Sequence, residues 1–166
     1  MAKAKTKTQA KRKTAVKPKA RKGNAVADRL CVLLASSYTL YLKTHNYHWN
    51  VTGPMFTTLH TLFETQYTEL ALAVDEIAER IRTLGMKAPG SYSEFAKLSI
   101  VKEASGDPKA EAMINDLTAD QEKIAKLATE IAAMAGDVSD EASADLAIGR
   151  QSVHEKNAWM LRVHLE

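Results

Sequence analysis

Three of the chain's five histidines, His45, His48 and His60, fall within sixteen positions, and Glu64 stands four residues beyond the last of them. Farther along, Asp75 and Glu79 repeat the interval of four. On an α-helix that interval sets two side chains on one face, within reach of a common ion. Imidazole nitrogens and carboxylate oxygens together make a borderline-to-hard ligand set, which suits iron(II), manganese or zinc better than copper(I) or calcium. Spacing alone leaves a second reading open, because acids four apart also line solvated helix faces and histidines are satisfied by ordinary hydrogen bonds.

The two pairs cannot serve one ion within one chain. Fifteen residues of helix separate His60 from Asp75, a rise of about 22 Å, while their angular offset is only about 60°. They face nearly the same way at opposite ends of the helix. Two chains related by a twofold axis, with these helices antiparallel, would bring His60 and Glu64 of one copy against Asp75 and Glu79 of the other, twice per pair. His48, just before Gly53-Pro54, can fold back beside His60 at the corner.

The elements that must position these groups are read from apolar periodicity. Val26, Leu30, Leu33, Ser37 and Leu40 mark a helical stripe over about 25–50. Thr52-Gly53-Pro54 ends it, with Pro54 suited to the first position of a second helix. That helix runs over 55–84 on Met55, Leu59, Leu62, Gln66, Leu70, Val74, Ile77, Ile81 and Leu84, and Gly85 is the expected stop. Residues 85–100 form a connection with room for one short helix around 91–97. Asp107-Pro108 opens a third long helix carrying Ile114, Leu117, Ile124, Leu127, Ile131 and Met134, closed by Gly136. Ser139 is expected to cap a fourth, 139–164, with acids in its first turn. The fold class is therefore all-α: a four-helix bundle with one long connection, which is the ferritin-like arrangement. No repeat and no strand stands out.

Composition divides the 166 residues in two. Residues 1–22 contain ten bases and no acid: Lys3, Lys5, Lys7, Lys11, Arg12, Lys13, Lys17, Lys19, Arg21 and Lys22. The remainder holds 13 bases against 20 acids, so an arm of +10 precedes a body of −7. The arm, bounded here as 1–24, has almost no large apolar side chains and is expected to be disordered, with the bundle domain over 25–166. Such an arm supplies the electrostatic part of DNA binding and no base readout, so double-stranded DNA bound without sequence preference is the expected partner. A solvating tail is the alternative. Cys31, the single cysteine, lies in an apolar run and points to a buried thiol in a reducing cytoplasm. No run of about eighteen apolar residues and no secretory signal are apparent, so no membrane association is expected.

Over Lys43 to Gly85 the chain closely resembles the Dps family, the DNA-binding proteins from starved cells. The likeness is carried by Thr44-His45, His48-Trp49-Asn50, Gly53, Phe56, Leu59-His60, Glu69-Leu70, Asp75, Ala78-Glu79-Arg80 and Leu84-Gly85. Its specific part is the spacing from His48 to His60, to a carboxylate four later, to Asp75 and to Glu79. The helix plan extends it over 25–166. The resemblance implies a twelve-subunit miniferritin of the cytoplasm and nucleoid. Two iron ions would bind at each subunit interface, held by His48, His60 and Glu64 of one subunit and Asp75 and Glu79 of its twofold mate. Fe(II) would be oxidised there, preferentially by hydrogen peroxide, and stored as ferric mineral. Glu64 is a departure, for the family usually has Asp there.

The same resemblance places Trp49 near the iron as a possible redox residue, with packing as the alternative for it and for Trp159. It implies a threefold iron-entry pore lined by Asp137, Glu141 and Asp145. Acids at a helix N-terminus also serve simply to complement its dipole. His45 is expected to be a hydrogen-bonding neighbour of the site, and His154 and His164 surface residues. Two other classes remain: an architectural DNA-compacting protein with a degenerate metal site, and a dimeric di-metal oxidase without storage.

Overall fold

The computed structural model describes residues 24–166. The lysines and arginines of the basic arm lie outside the described residues. Asn24, assigned above to the arm, instead caps the first helix: its Oδ1 accepts from the backbone N–H groups of Val26 and Ala27 at 3.1 and 3.4 Å.

Five helices follow: α1 Ala25–Asn50, α2 Phe56–Thr83, α3 Tyr92–Leu98, α4 Ala110–Asp137 and α5 Glu141–Arg162. Ion pairs reveal their directions. Arg29 and Lys43 of α1 reach Glu130 and Asp116 of α4, so α4 descends as α1 rises. Glu69 and Arg80 of α2 reach Arg150 and Asp140 of α5 in the same inverted order. A five-residue corner also makes α1 and α2 antiparallel neighbours. Hence α2 and α4 run the same way, and the long connection carrying α3 is what lets the chain return to the starting end. The apolar stripes close into one core, with Leu30, Leu33, Leu40, Leu59, Leu70, Ile77, Ile81, Ile114, Leu117, Ile124 and Ile131 inaccessible. Helix α1 is long and apolar enough to cross a membrane, but its apolar face is spent on this core.

Helix ends depart from the sequence expectation where turn chemistry decides them. Pro54 is not helical; it occupies a turn closed by the Phe56 N–H on the Gly53 carbonyl at 3.0 Å. Gly85 does end α2, in the left-handed region at φ 83, with Met86 N–H returning to Ile81 O at 3.2 Å. Gly136 lies inside α4 rather than closing it. Ser139 is not a cap of α5. It takes the left-handed position after α4, at φ 55, while Asp140 N–H bonds back to Ala135 O at 2.9 Å. The cap is Asp140, whose carboxylate accepts from Ser143 N–H at 3.2 Å.

Two networks hold the buried Lys43, Asp120, Arg150 and His154. Lys43 Nζ, 3 % exposed as a residue, donates to Asp120 at 2.6 Å and Asp116 at 2.9 Å, and Tyr47 Oη donates to Asp116 at 2.7 Å. In the second, His154 Nδ1–H donates to Gln121 Oε1 at 2.5 Å and Arg150 Nη2–H donates to His154 Nε2 at 3.1 Å. His154, expected at the surface, is therefore a fully buried member of the core. The physical reason is that Gln121 of α4 and Arg150 of α5 satisfy both ring nitrogens inside the bundle, so the ring needs no water. His164 is half-buried, its Nδ1–H on the Met160 carbonyl at 2.9 Å.

Candidate metal centre

The corner between α1 and α2 brings the two histidines together. His48 is in the last turn of α1 and His60 near the start of α2, and the turn at Gly53-Pro54 reverses the chain between them. Their rings stack, with centroids 3.6 Å apart and planes 21° from parallel. Each ring bonds to the other's backbone: His48 Nδ1 to His60 O at 2.8 Å, His60 Nδ1 to His48 O at 2.9 Å. A carbonyl can only accept, so both Nδ1 atoms carry the proton. In the neutral form of each ring this leaves the lone pair on Nε2. A ring nitrogen oriented by a backbone carbonyl on its other side is the usual form of a metal-binding histidine.

Glu64, one turn beyond His60, is exposed, and so are Asp75 and Glu79 on the far half of α2. Thr68, Ala71 and Leu72 between them also face outward, Leu72 at 70 % exposure. Among the described residues of one chain, no three His, Cys, Asp or Glu side chains converge as an ion site. The bundle interior offers no substitute. Where core ligands would stand it holds Gln66, Gln121, His154 and the guanidinium of Arg150, which also pairs with Glu69. A permanent guanidinium beside amides that are already bonded to one another and to His154 leaves no anionic ligand for a metal ion there.

Aromatic rings enclose the pair. Tyr67 meets His48 edge-on at 5.2 Å and stacks on His45 at 4.0 Å. Trp49 lies 4.0 Å from His45 and is 59 % exposed. Burial, then the neighbouring His48, pulls the His45 imidazole below its ordinary pKa. Tyr67 was not singled out in the sequence. Its spacing of seven from His60 is the signal that could have found it, since two turns return to the same face.

The ferritin-like domain family matches residues 27–166. The DNA protection during starvation protein 2 of Bacillus anthracis is 40% identical over 126 residues, covering 76% of this chain and 86% of that protein. The crystal structure of Dps from Staphylococcus aureus superposes with a TM-score of 0.83 at 38% identity, over 85% of this chain and 95% of that one. The chain belongs to the Dps family of ferritin-like proteins. The Dps protein of Vibrio cholerae O1, described as a member of a broad superfamily of ferritin-like diiron-carboxylate proteins, matches with a TM-score of 0.81 at 33% identity, over 85% of this chain and 89% of that one.

In this Dps-family chain the acids proposed for a pore are distributed over one junction. Asp137 ends α4, Glu141 opens α5 and Asp145 follows a turn later, all three exposed. Asp140 is separated from them by its duties. It accepts from Arg80 Nη2 at 2.5 Å and from Ser143 Oγ at 2.7 Å, and the serine and guanidinium bonds outweigh burial and hold its carboxyl below the usual range. Cys31 is buried, and burial, then Asp28, pushes its thiol pKa up, against a reactive role.

Proposed function

We propose that this protein oxidises and stores iron and coats DNA, in the manner its family's resemblance implied. The observation that carries the reading is the reciprocal His48–His60 pair, in which backbone carbonyls take both Nδ1 atoms and leave the Nε2 atoms as the ones able to bind. Neutral nitrogen alone holds ferric iron poorly, so carboxylates must complete the set. Glu64 is the acid of the same subunit, and Asp75 and Glu79 come from a second copy packed antiparallel on α2. Placing His60 opposite the partner subunit's Glu79 centres the twofold axis between Glu69 and Leu70, and sets Leu72 within the covered face. The interface then completes two sites at once.

At each site Fe(II) is the substrate. Two ferrous ions give one electron apiece to hydrogen peroxide, and the pairing matters because a single-electron reduction releases hydroxyl radical. Carboxylates bind the ferric product strongly and can change binding mode as its charge rises. Asp137, Glu141 and Asp145, repeated about a threefold axis of a twelve-subunit shell, would concentrate negative potential and draw Fe²⁺ inward. The acidic body supports an interior that accumulates cations. Twelve arms of +10 would bind double-stranded DNA without sequence preference, with avidity because later contacts are intramolecular. The setting is the cytoplasm, on DNA.

Glu64, a methylene longer than the family's usual Asp, supports the second reading, a DNA-compacting protein with a degenerate metal site. One experiment separates them. Fe(II) and then peroxide are added to the purified assembly and to the His60→Ala variant. The first reading expects rapid oxidation in the native protein alone; oxidation no faster than in buffer would leave the second. Deleting residues 1–22 should abolish DNA gel shifts and leave oxidation intact.

A further inference from the structure

Among the described residues only three buried side-chain nitrogen or oxygen atoms lack a hydrogen-bond partner: Ser37 Oγ, Gln66 Nε2 and Arg150 Nε. All three residues are buried, Arg150 the least so at 5 % exposure, and they come from three helices, α1, α2 and α5. Gln66 and Arg150 belong to one network. Gln66 is bonded to Gln121 and Arg150 to His154, and a bond between Gln121 and His154 joins the two pairs across the bundle. Ser37 stands at the same height. On α1 it lies between Arg29 and Lys43, whose partners on α4, Glu130 and Asp120, bracket Gln121. Buried polar groups without a partner are rare in folded proteins, and two in one network point to a shared partner.

The direction of the network fixes what that partner is. A guanidinium has N–H donors and no acceptor. Arg150 Nη2 therefore donates to His154 Nε2, at 3.1 Å, and the imidazole proton stands on Nδ1. That proton goes to Gln121 Oε1, so Gln121 turns its amide nitrogen toward Gln66 and donates to Gln66 Oε1 at 3.4 Å. Gln66 is left presenting N–H groups with nothing to receive them. Turning over either amide, or both, would set donor against donor. The nearby acceptors are already taken, since Glu69 Oε1 receives Arg150 Nη1 and Glu69 Oε2 receives Arg150 Nη2 at 3.1 Å. The missing partner is thus an acceptor from outside these side chains. Its charge follows as well. Glu69 already balances the guanidinium, so an anion would be buried without a counter-charge of its own. A neutral oxygen carrying hydrogens fits, because the lone pairs of Ser37 Oγ are unused.

We propose that the bundle holds one internal water molecule at this height, accepting from Gln66 Nε2 and Arg150 Nε and donating to Ser37 Oγ. Three polar partners lie within the range that retains a water inside a protein. The molecule ties α1 and α2, the two helices of the histidine corner, to α5 through a group that none of them supplies. It also closes a network that runs inward from Glu69 and would otherwise end on bare donors. Neither His48 nor His60 enters into it, so the site stands apart from the iron-oxidising reading.

The test is a crystal structure of the assembled full chain, at a resolution that shows internal waters, from crystals grown with and without bromide. One solvent peak is expected in every copy of the chain, about 3 Å from both Gln66 Nε2 and Arg150 Nε, with no anomalous signal from bromide. Ser37→Ala/Gln66→Met removes two of the three partners and leaves Arg150 alone, too few to retain a water, so the peak should be lost. No peak between the two donors in the native protein overturns the site, whether or not the variant folds. A bromide signal there overturns the neutral ligand in favour of an anion. A peak of full occupancy in the double variant overturns the parts given to Ser37 and Gln66.

Discussion

His48 and His60 hold each other through the backbone: each ring's Nδ1–H is bonded to the other residue's carbonyl, at 2.8 and 2.9 Å. The pair thereby does two things at once. It staples the end of α1 to the start of α2, and it leaves both Nε2 atoms free of the main chain. His60→Ala removes one of the two proposed ligands and frees the other ring to turn. Peroxide-dependent Fe(II) oxidation should fall by roughly 10- to 100-fold, the loss typical when the groups that orient a ligand are removed. Stability should fall by only about 1 kcal/mol, the net value of a hydrogen bond. Stopped-flow absorbance and urea unfolding check the two halves separately.

Leu72 tests the shared interface. It is 70 % exposed in the single chain and stands between Glu64 and Asp75 on the outward face of α2. Leu72→Glu would place a charge on both sides of a twofold contact, beside acids already present. Sedimentation velocity should show the assembly breaking into smaller species, with iron oxidation lost in parallel because the carboxylates of the mate depart. An intact particle with full activity would refute the antiparallel pairing of α2.

Lys43 shows how far a buried charge depends on its partners. Its side chain is 2 % exposed and that of Asp120 is 1 %, so both are out of water, and Lys123 gives Asp120 a second contact at 2.8 Å. Lys43→Met leaves Asp120 buried with only that surface lysine. The expected cost is about 3 kcal/mol in urea unfolding, toward the low end for a broken buried pair. Lys43→Met with Asp120→Leu should recover most of it, because two apolar side chains need no partner.

Much of this architecture was legible in the sequence, for physical reasons that differ from residue to residue. Leu30, Leu59, Ile77 and Ile124 recur at helical spacing, and a single long connection restricts how four helices can close. The histidine corner was legible because Gly53-Pro54 forces a reversal between His48 and His60. Lys43 and His154 were not. Nothing in local spacing marks a charged or polar residue as buried when its partners, Asp120 and Gln121, lie on a helix far along the chain. Ser139 failed differently. A serine before acids reads as a helix cap, but the return bond from Asp140 to Ala135 claims the position for the end of the preceding helix.

That misreading has a consequence for stability. Ser139 holds φ 55, a region where a side chain costs roughly 1–2 kcal/mol and glycine nearly nothing. Ser139→Gly should stabilise the fold by about 1 kcal/mol after the greater freedom of unfolded glycine is subtracted. The urea midpoint should rise with an unchanged slope. A fall in the midpoint would mean that the serine contributes something its backbone conformation does not reveal.

Acid should find its weak point at His154. Burial first, and then the Arg150 guanidinium donating to its Nε2, push this imidazole well below its ordinary pKa. Of the groups around it, Gln121 and Gln66 are neutral, and Glu69 is already engaged by Arg150. The folded ring therefore stays neutral where the unfolded one, titrating near about 6.5, takes up a proton. The unfolded state binds more protons below that pH, so stability falls as pH falls, by up to about 1.4 kcal/mol per unit, until the folded ring itself titrates. Above about pH 6.5 this contribution is flat. His154→Gln keeps a donor and an acceptor but cannot titrate. Urea unfolding between pH 7 and pH 5 should show the native protein losing stability relative to the variant as pH drops. His45, whose pKa is also lowered, is present in both proteins and cancels in the difference. Parallel curves would mean that His154 is protonated in the fold, with its bond from Arg150 broken.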